Sequence, residues 1–227
     1  MSRVKVLRLG RKSFRETLRI QTDTAKTILE QLKSGVSQET VANTLILVEH
    51  MPVYTIGIRT KEYSSQTAAK LRSLGADFVV TDRGGLITFH GFGQLVAYPI
   101  LYLGSFGNKS IKWYIHQLEK TVIDTVSCIL KEIPVTVSTL DQYPGVWIDS
   151  NRKIAAIGVH AKRYVTTHGV AINCNTQMSW FDHIVPCGIE DKSVTSLSTE
   201  SGREITIDQT EPNFLKAFQN VFKCELV

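Results

Sequence analysis

Three extended segments follow one another in the second half of the chain and constrain its fold more than any other feature. They read GVWIDS from Gly145, KIAAIGVHAKRY from Lys153 and HGVAINCN from His168. The polar stretch DSNRK joins the first two as a turn, which is typical of antiparallel neighbours. Since the remaining strands are also predicted in consecutive groups with helices between them, we expect an α+β fold. In this fold a mixed sheet is backed by helices, without alternating βαβ winding.

Helical and extended segments can be placed along the rest of the chain. A helix is predicted from about Phe14 to Lys33, because Ser13 and Glu16 form a capping-box pattern at its start. Ser110 opens a long amphipathic helix whose apolar face belongs to the core. A final helix is predicted with Thr210 as its cap and Pro212 in its first turn. The other predicted elements are strands at VKVLRLG, NTLILVE, VYTIG, DFVVT and LVAYPILYL and a short helix at TAAKLRSLG.

Length and composition limit the class of protein. A chain of 227 residues, 43% hydrophobic and 21% charged, is expected to form one domain over residues 1–227 with a substantial core. Its last forty or so residues could pack as a subregion. The apolar runs are far shorter than the roughly 18 residues that a membrane-spanning helix needs. We therefore expect no membrane span.

The chain is basic, with 26 Lys and Arg residues against 21 Asp and Glu. This balance suits an acidic partner. The basic residues are scattered and do not alternate with aromatic residues in a binding platform, so nucleic acid is not expected as a partner. The first twenty residues are strongly basic, as in mitochondrial targeting segments, but the same residues also read as a strand and a capped helix. We interpret them as the start of the folded domain.

The four cysteines are Cys128, Cys174, Cys187 and Cys224, with no pair at the spacing of a zinc or redox motif. A reducing compartment fits this pattern, and no metal is expected. Cys128 and Cys224 are predicted on helix faces and Cys174 in a strand, as inert core residues. Cys187, in IVPCGIEDKSVTSL, lies in a predicted turn, so both a nucleophile and a structural residue remain open.

Lys153 lies where a polar turn enters an apolar strand. On sequence alone, a lysine at such a junction is expected to be a solvated strand end, with Arg152 on the opposite side of the strand. If Lys153 instead points inward, its ammonium could stabilise a thiolate at Cys187 and exchange protons. Both alternatives remain open at this point.

The stretch RGGLITFHGFGQ, from Arg83 to Gln94, contains four glycines just before an apolar strand. It predicts either a hairpin with bulges or a close approach of backbone to a ligand. His90 within it is expected to be structural and bonded to backbone, and His160 and His168 are weaker candidates for acid–base chemistry. The chain has no phosphate-binding loop or dinucleotide fingerprint, so we expect no nucleotide or other cofactor.

Three long motifs together resemble the lipoyl(octanoyl) transferase family. They are RGGLITFHGFGQLVAYPI, RKIAAIGVHAKRYVTTHGVAINCN and IVPCGIEDKSVTSL, supported by NTLILVEHMPVYTIG. The resemblance implies the fold of lipoate and biotin protein ligases. It also implies transfer of an octanoyl group from octanoyl-acyl carrier protein to a lysine of lipoyl-domain proteins, such as the glycine cleavage H protein and the E2 subunits of 2-oxoacid dehydrogenases.

The resemblance also assigns residues. Cys187 matches the nucleophile that carries the acyl thioester, and Lys153 matches the lysine that lowers the pKa of that cysteine and shuttles protons. The matching substrate-binding residues are Arg83, Gly84, Gly85, Leu86, Ile87, Thr88, Phe89, His90, Ala156, Ile157, Gly158, Gly169, Val170 and Ala171.

Other functions remain open. An ATP-dependent lipoate or biotin protein ligase would share the fold but has no need of the cysteine. A non-catalytic protein that binds acyl carrier protein or lipoyl domains would have lost the nucleophile or the lysine. The basic first segment and the GIR sequence that closes VYTIGIR favour a mitochondrial location, with the bacterial cytoplasm as the alternative.

Overall fold

The computed structural model describes residues 1–38, 40–59, 63–185 and 192–227. The helices are α1 (Phe14–Lys33), α2 (Ser65–Ser73), α3 (Ile111–Ile129), α4 (Leu197–Ser201) and α5 (Ile207–Phe222). The first six strands are β1 (Ser2–Lys12), β2 (Thr44–His50), β3 (Val53–Ile56), β4 (Asp77–Val80), β5 (Thr88–His90) and β6 (Gln94–Ile100). The others are β7 (Val137–Leu140), β8 (Tyr143–Ile148), β9 (Arg152–Lys162), β10 (Val165–Asn173), β11 (Ser193–Val194) and β12 (Cys224–Leu226).

The described residues form one large mixed sheet and one small one. The large sheet has nine strands in the order β12-β1-β2-β6-β10-β9-β8-β7, with β11 pairing against β9, and the small sheet has the order β4-β3-β5. The predicted central meander is present, because β8, β9 and β10 pair as antiparallel neighbours. The α+β prediction is therefore confirmed, including the mixture of parallel and antiparallel strands.

Helices cover both faces of the large sheet, which explains why strand β2 is apolar on both sides. Successive side chains of a strand point to opposite faces. Ile46 and Val48 belong to the cluster that contains residues of α1, whereas Leu45 and Leu47 belong to the cluster that contains residues of α3 and α5. The sheet thus lies between α1 on one face and the α3–α5 pair on the other.

The C-terminal segment differs from the sequence prediction in two ways. Helix α5 begins at Ile207, one turn before the predicted start, because Thr206 and Gln209 form a capping box; Pro212 consequently lies inside the helix. Cys224 was predicted on a helix face but lies in β12, which pairs in parallel with β1. Helix α5 packs against α3, so this segment contributes to the cluster on that face.

None of the helices in the described part of the chain is long and apolar enough to cross a membrane.

Candidate active site

Lys153 is the second residue of β9, and its side chain turns into the protein. It is only 5% exposed, so the expectation of a solvated strand end is wrong. Its Nζ atom donates a hydrogen bond to the Pro144 carbonyl oxygen at 3.3 Å and lies 4.6 Å from the centroid of the Trp147 ring. Arg152 points to the other side, as predicted, where it forms ion pairs with Asp149 and Glu200. Lys153 is therefore a buried cation held by β8.

A cavity of about 450 Å³ opens beside Lys153, and we call it the lysine groove. The turn before β8 forms one wall, the start of α3 another and the outer half of β9 a third. This arrangement lets a large substrate group reach a buried lysine. The described residues that line the groove are Arg59, Gly84, Gly85, Leu86, Ile111, Ile115, Gln142, Tyr143, Pro144, Lys153, Ile157, Gly158 and Val159.

The Arg83–Gly85 turn is held against β9. Arg83 is 6% exposed, and its guanidinium donates hydrogen bonds to the Thr55 carbonyl and hydroxyl and to the Gly84 carbonyl. The Gly84 N–H donates to the Val159 carbonyl at 3.1 Å. A Cβ at Gly158 would lie only 3.0 Å from the Arg83 Cδ atom, so this turn and β9 approach each other closely because Gly158 has no side chain.

A second cavity, which we call the narrow cavity, continues from the lysine groove into the protein. It measures about 40 Å³ and shares Gly84, Gly85, Ile157 and Gly158 with the groove. Its lining is mostly backbone, aliphatic and aromatic atoms. The residues that line it are Phe14, Arg83, Gly84, Gly85, Thr88, His90, Val96, Tyr98, Ala156, Ile157, Gly158, His168, Gly169, Val170 and Ala171.

The structure brings together most of the residues predicted to bind substrate. Eleven of the fourteen line the narrow cavity, and Leu86 lines the lysine groove instead. Ile87 and Phe89 line neither cavity. They pack in a separate apolar cluster where the Phe89 ring stacks on Trp180 at 5.0 Å. Strand alternation explains this split, since Thr88 and His90 face the cavity and their neighbours face away.

Two buried histidines lie near the inner side of the narrow cavity: His90 lines it, and the His50 ring packs against His90 with a centroid distance of 5.8 Å. Burial lowers the pKa of His90 to about 3 and that of His50 to about 4, so both imidazoles are neutral near pH 7. His90 bonds to the Gln94 side-chain oxygen at 2.8 Å, not to backbone as predicted. His50 Nδ1 donates to the Lys12 carbonyl, and its Nε2 accepts from the Tyr98 hydroxyl. Neither imidazole therefore adds a positive charge to this side of the cavity near pH 7.

Sequence reasoning missed four residues that line the narrow cavity: Phe14, Val96, Tyr98 and His168. The signal for Val96 and Tyr98 is present in the sequence, because they alternate on one face of β6. Phe14 comes from the first turn of α1, and its ring stacks on His90 at 6.1 Å. No sequence pattern connects that helix start with a histidine 76 positions later.

Gly91 and Gly93 do not line either cavity. A Cβ at Gly93 would meet atoms of Asn175 at 2.6–2.8 Å, and its φ of +74° is in the left-handed region. A Cβ at Gly91 would overlap the Phe89 ring. These two glycines therefore serve close contacts within the protein, whereas Gly84 and Gly85 face the cavities.

Cys187 and its neighbours 186–191 lie outside the described residues. Burial raises the pKa of Cys174 and of Cys224 to about 11, which keeps both thiols protonated near neutral pH. Cys128 is exposed. In the described ranges, no group of three or more His, Cys, Asp and Glu side chains is arranged to hold a metal ion.

Comparison with known proteins identifies relatives along the whole chain. The family model for the lipoyl protein ligase A/B catalytic domain matches residues 21–219. The mitochondrial octanoyl-[acyl-carrier-protein]:protein N-octanoyltransferase of Danio rerio is 49% identical over 98% of this chain and 94% of its own length. The human protein of the same name is 40% identical over 99% and 95%. An octanoyltransferase of Christiangramia forsetii is 39% identical over 98% and 97%.

Solved structures with the same fold include lipoate protein ligases. A putative lipoate protein ligase from T. acidophilum with bound lipoic acid superposes with a TM-score of 0.70 at 12% identity, covering 100% of this chain and 88% of its own. A lipoate-protein ligase A bound with ATP gives the same TM-score and identity, covering 100% and 87%. These likenesses establish the fold, and the sequence matches establish the family. The chain therefore belongs to the lipoyl protein ligase A/B catalytic domain family, and the resemblance to lipoyl(octanoyl) transferases drawn from its motifs is confirmed.

Proposed function

We propose that the protein transfers an octanoyl group from octanoyl-acyl carrier protein to a lysine of lipoyl-domain proteins, with Cys187 as the nucleophile and Lys153 as its acid–base partner. The observation that carries this proposal is the burial of Lys153 in a groove that continues into a narrow, mostly apolar cavity. The names of the relatives support the same reaction.

In the first half-reaction, the Cys187 thiolate attacks the carbonyl carbon of the donor thioester. A carbon–sulfur bond forms to Cys187 and the bond to the carrier thiol breaks. The Lys153 ammonium gives its proton to the departing thiolate of the carrier, which leaves as a thiol, and Lys153 becomes neutral. Because one thioester replaces another, the step needs no nucleotide.

In the second half-reaction, the amine of the acceptor lysine attacks the octanoyl thioester on Cys187. Neutral Lys153 accepts the proton that the amine loses, and an amide bond forms. The carbon–sulfur bond to Cys187 breaks and the thiolate returns. Both residues are then in their starting protonation states.

The developing negative charge on the carbonyl oxygen needs a hydrogen-bond donor. The Gly84 N–H is already bonded to the Val159 carbonyl, so it does not fill this role. Gly85 lines both cavities, and its N–H makes no hydrogen bond within the described residues. We assign the Gly85 N–H as the donor.

The octanoyl tail would occupy the narrow cavity. Burying about six methylenes at roughly 0.8 kcal/mol each contributes on the order of 5 kcal/mol, enough to distinguish acyl lengths. The cavity measures about 40 Å³ before the tail binds, so we expect side chains of its wall to shift as the tail enters.

Two further expectations accompany this function. The Danio rerio, human and Drosophila melanogaster relatives are named mitochondrial, which supports a mitochondrial location for this protein. The acceptors are then mitochondrial lipoyl-domain proteins such as the glycine cleavage H protein and the E2 subunits of 2-oxoacid dehydrogenases.

The test is intact mass spectrometry after mixing the protein with octanoyl-acyl carrier protein and no nucleotide. The wild type should gain one octanoyl group that hydroxylamine removes, and Cys187→Ser should gain none that is labile to it. Cys128→Ser is the matched control, since it removes an exposed cysteine elsewhere and should leave the adduct unchanged. Acyl transfer that requires free octanoic acid and ATP would reject the proposal.

A further inference from the structure

A third cavity lies beyond the narrow one, and we call it the wide cavity. It measures about 550 Å³ and opens between one face of α1 and the outer ends of β9 and β10. Leu18, Ala25, Leu29 and Val165 make part of its wall apolar. Among the described residues, His168 alone lines both the wide and the narrow cavity. The imidazole of His168 therefore stands between the two spaces.

The backbone of His168 is fixed in an unusual conformation. Its φ is +58°, in the left-handed region that only a few per cent of residues other than glycine adopt. Its N–H donates to the Gln21 side-chain oxygen at 2.8 Å, and Gln21 is fully buried. Helix α1 thus holds this residue of β10 in place.

The ring of His168 is held as firmly as its backbone. Its Nε2 lies 2.8 Å from Asp82 Oδ1, and the carboxylate can only accept, so Nε2 donates. This hydrogen bond is the largest cause of the lowered pKa of Asp82. The ring edge meets the Tyr98 ring at a centroid distance of 6.3 Å and an angle of 87°. With 2% exposure, His168 fills the gap beside Tyr98.

We propose that His168 is the end wall of the acyl site and sets the longest acyl chain that the enzyme accepts. This inference rests on the proposed function, in which the octanoyl tail enters the narrow cavity from the lysine groove. A longer tail would have to displace an imidazole held by Asp82, Gln21 and Tyr98. Without that ring, the tail would pass into the wide cavity, which has a partly apolar wall and a volume of about 550 Å³.

Substitutions that keep the left-handed backbone test this role. His168→Gly tolerates a positive φ and opens the passage, and His168→Asn tolerates it with a smaller side chain. Asp82→Ala leaves the imidazole in place but removes the hydrogen bond that orients it. The measurement is kcat/KM for hexanoyl-, octanoyl-, decanoyl- and dodecanoyl-acyl carrier protein with one lipoyl-domain acceptor.

The wild type should prefer octanoyl over dodecanoyl. His168→Gly should raise the ratio of dodecanoyl to octanoyl kcat/KM by at least about tenfold, since each methylene in an apolar pocket changes discrimination by roughly that factor. His168→Asn and Asp82→Ala should raise it less. His160→Ala is the matched control, because His160 lies 3.8 Å from Asp82 and lines only the wide cavity. The dependence of kcat/KM on acyl length in His160→Ala should equal that of the wild type.

An unchanged ratio in a folded His168→Gly enzyme that still transfers octanoyl would overturn the inference. If His168→Gly does not fold, an unchanged ratio in both His168→Asn and Asp82→Ala overturns it equally. A wild type that transfers dodecanoyl as fast as octanoyl also overturns it. Failure of the wild type to transfer any acyl group rejects the proposed function itself, so the two failures are distinguishable.

Discussion

Lys153 and Trp147 are direct partners across β9 and β8, and the Lys153 ammonium lies over the Trp147 ring at 4.6 Å. A β-bulge between Val146 and Trp147 shifts the pairing register at this point. An aromatic face attracts a cation most strongly where water is excluded. The indole therefore stabilises a buried ammonium that would otherwise be costly to desolvate.

Lys153→Met should lower octanoyl transfer by roughly 10²–10⁴-fold, the usual contribution of a general acid–base group. Methionine matches the length of the lysine stem and tolerates burial, so the loss should appear in kcat/KM and not in the amount of folded protein. Lys162→Met is the control, since Lys162 is exposed at the other end of the same strand. A Lys153→Met enzyme with more than a tenth of wild-type kcat/KM would remove Lys153 from the mechanism.

Gly84→Ala should reduce octanoyl transfer at least about tenfold while the protein remains folded. The added Cβ lies 3.7 Å from the Val159 carbonyl, an ordinary contact, but it projects where the lysine groove meets the narrow cavity. Gly85 is unsuitable for this test, because its φ of +93° strains any side chain whatever the available space. Thermal unfolding and octanoyl kcat/KM should be measured together.

Gly93→Ala provides the opposite outcome for comparison. It should lower the melting temperature, because a Cβ there overlaps Asn175 and the backbone is left-handed. Activity per folded molecule should be retained, since Gly93 lines neither the groove nor the narrow cavity. Equal losses of activity in Gly84→Ala and Gly93→Ala would mean that the glycines act only through folding.

Acid should destabilise the fold through its buried histidines. The pKa of His50 falls to about 4 and that of His90 to about 3 in the folded protein, both below the ordinary value of 6.5. Below pH 6.5 the unfolded chain therefore binds more protons than the folded one. The contribution of the two neutral histidines to stability is fully present above pH 6.5. It is lost as pH falls towards 4 for His50 and towards 3 for His90, and each histidine then lowers the free energy of unfolding by about 1.4 kcal/mol per pH unit.

His50→Gln should remove the contribution of one histidine, so the free energy of unfolding should fall less steeply as pH drops below 6.5. Urea unfolding at pH 7, 6 and 5 gives the slope of the unfolding free energy for the wild type and the variant. His116→Gln, which changes an exposed histidine, should leave the wild-type slope. An identical slope in His50→Gln would show that the His50 imidazole is not kept neutral by burial.

Charge at the mouth of the lysine groove should steer the acidic donor. Arg59 is exposed and lines this groove, so Arg59→Glu should raise the KM for octanoyl-acyl carrier protein severalfold at low salt. The difference in KM between Arg59→Glu and the wild type should decrease as the salt concentration rises. Arg3→Glu is the control, because Arg3 is an exposed arginine on β1, four strands from β9. An equal rise in the KM for octanoyl-acyl carrier protein in both variants would indicate an effect of net charge and not of position.

The fold was predictable because the strong periodic signals agree with the final packing. The β8–β10 meander and helix α1 begin and end close to the predicted positions, and α3 begins after Ser110 as predicted. The start of α5 was misplaced because two capping patterns lie four residues apart, and the capping box at Thr206 prevailed over the proline signal. Short strands such as β5 and β12 have too few residues to show an alternating pattern.

The candidate site was predictable only through its motifs. Neither alternation nor composition indicates that Lys153 is buried, because the register shift between β8 and β9 and the Trp147 ring that contacts it are tertiary features. The same holds for His168. Its partners Gln21 and Asp82 are 147 and 86 positions away along the chain, and a positive φ at a histidine leaves no signature in sequence.

The pairing of β12 with β1 joins the last described strand to the first, since Ser2 lies opposite Cys224. A ribosome releases β1 more than two hundred residues before its outer neighbour exists. Until then, β1 presents an open strand edge, the kind of surface on which chains associate wrongly. Contacts of such long sequence separation also form slowly. Completion of this sheet therefore waits for synthesis of the whole chain between β1 and β12, and a nascent or unfolded chain depends on protection of that edge until β12 arrives.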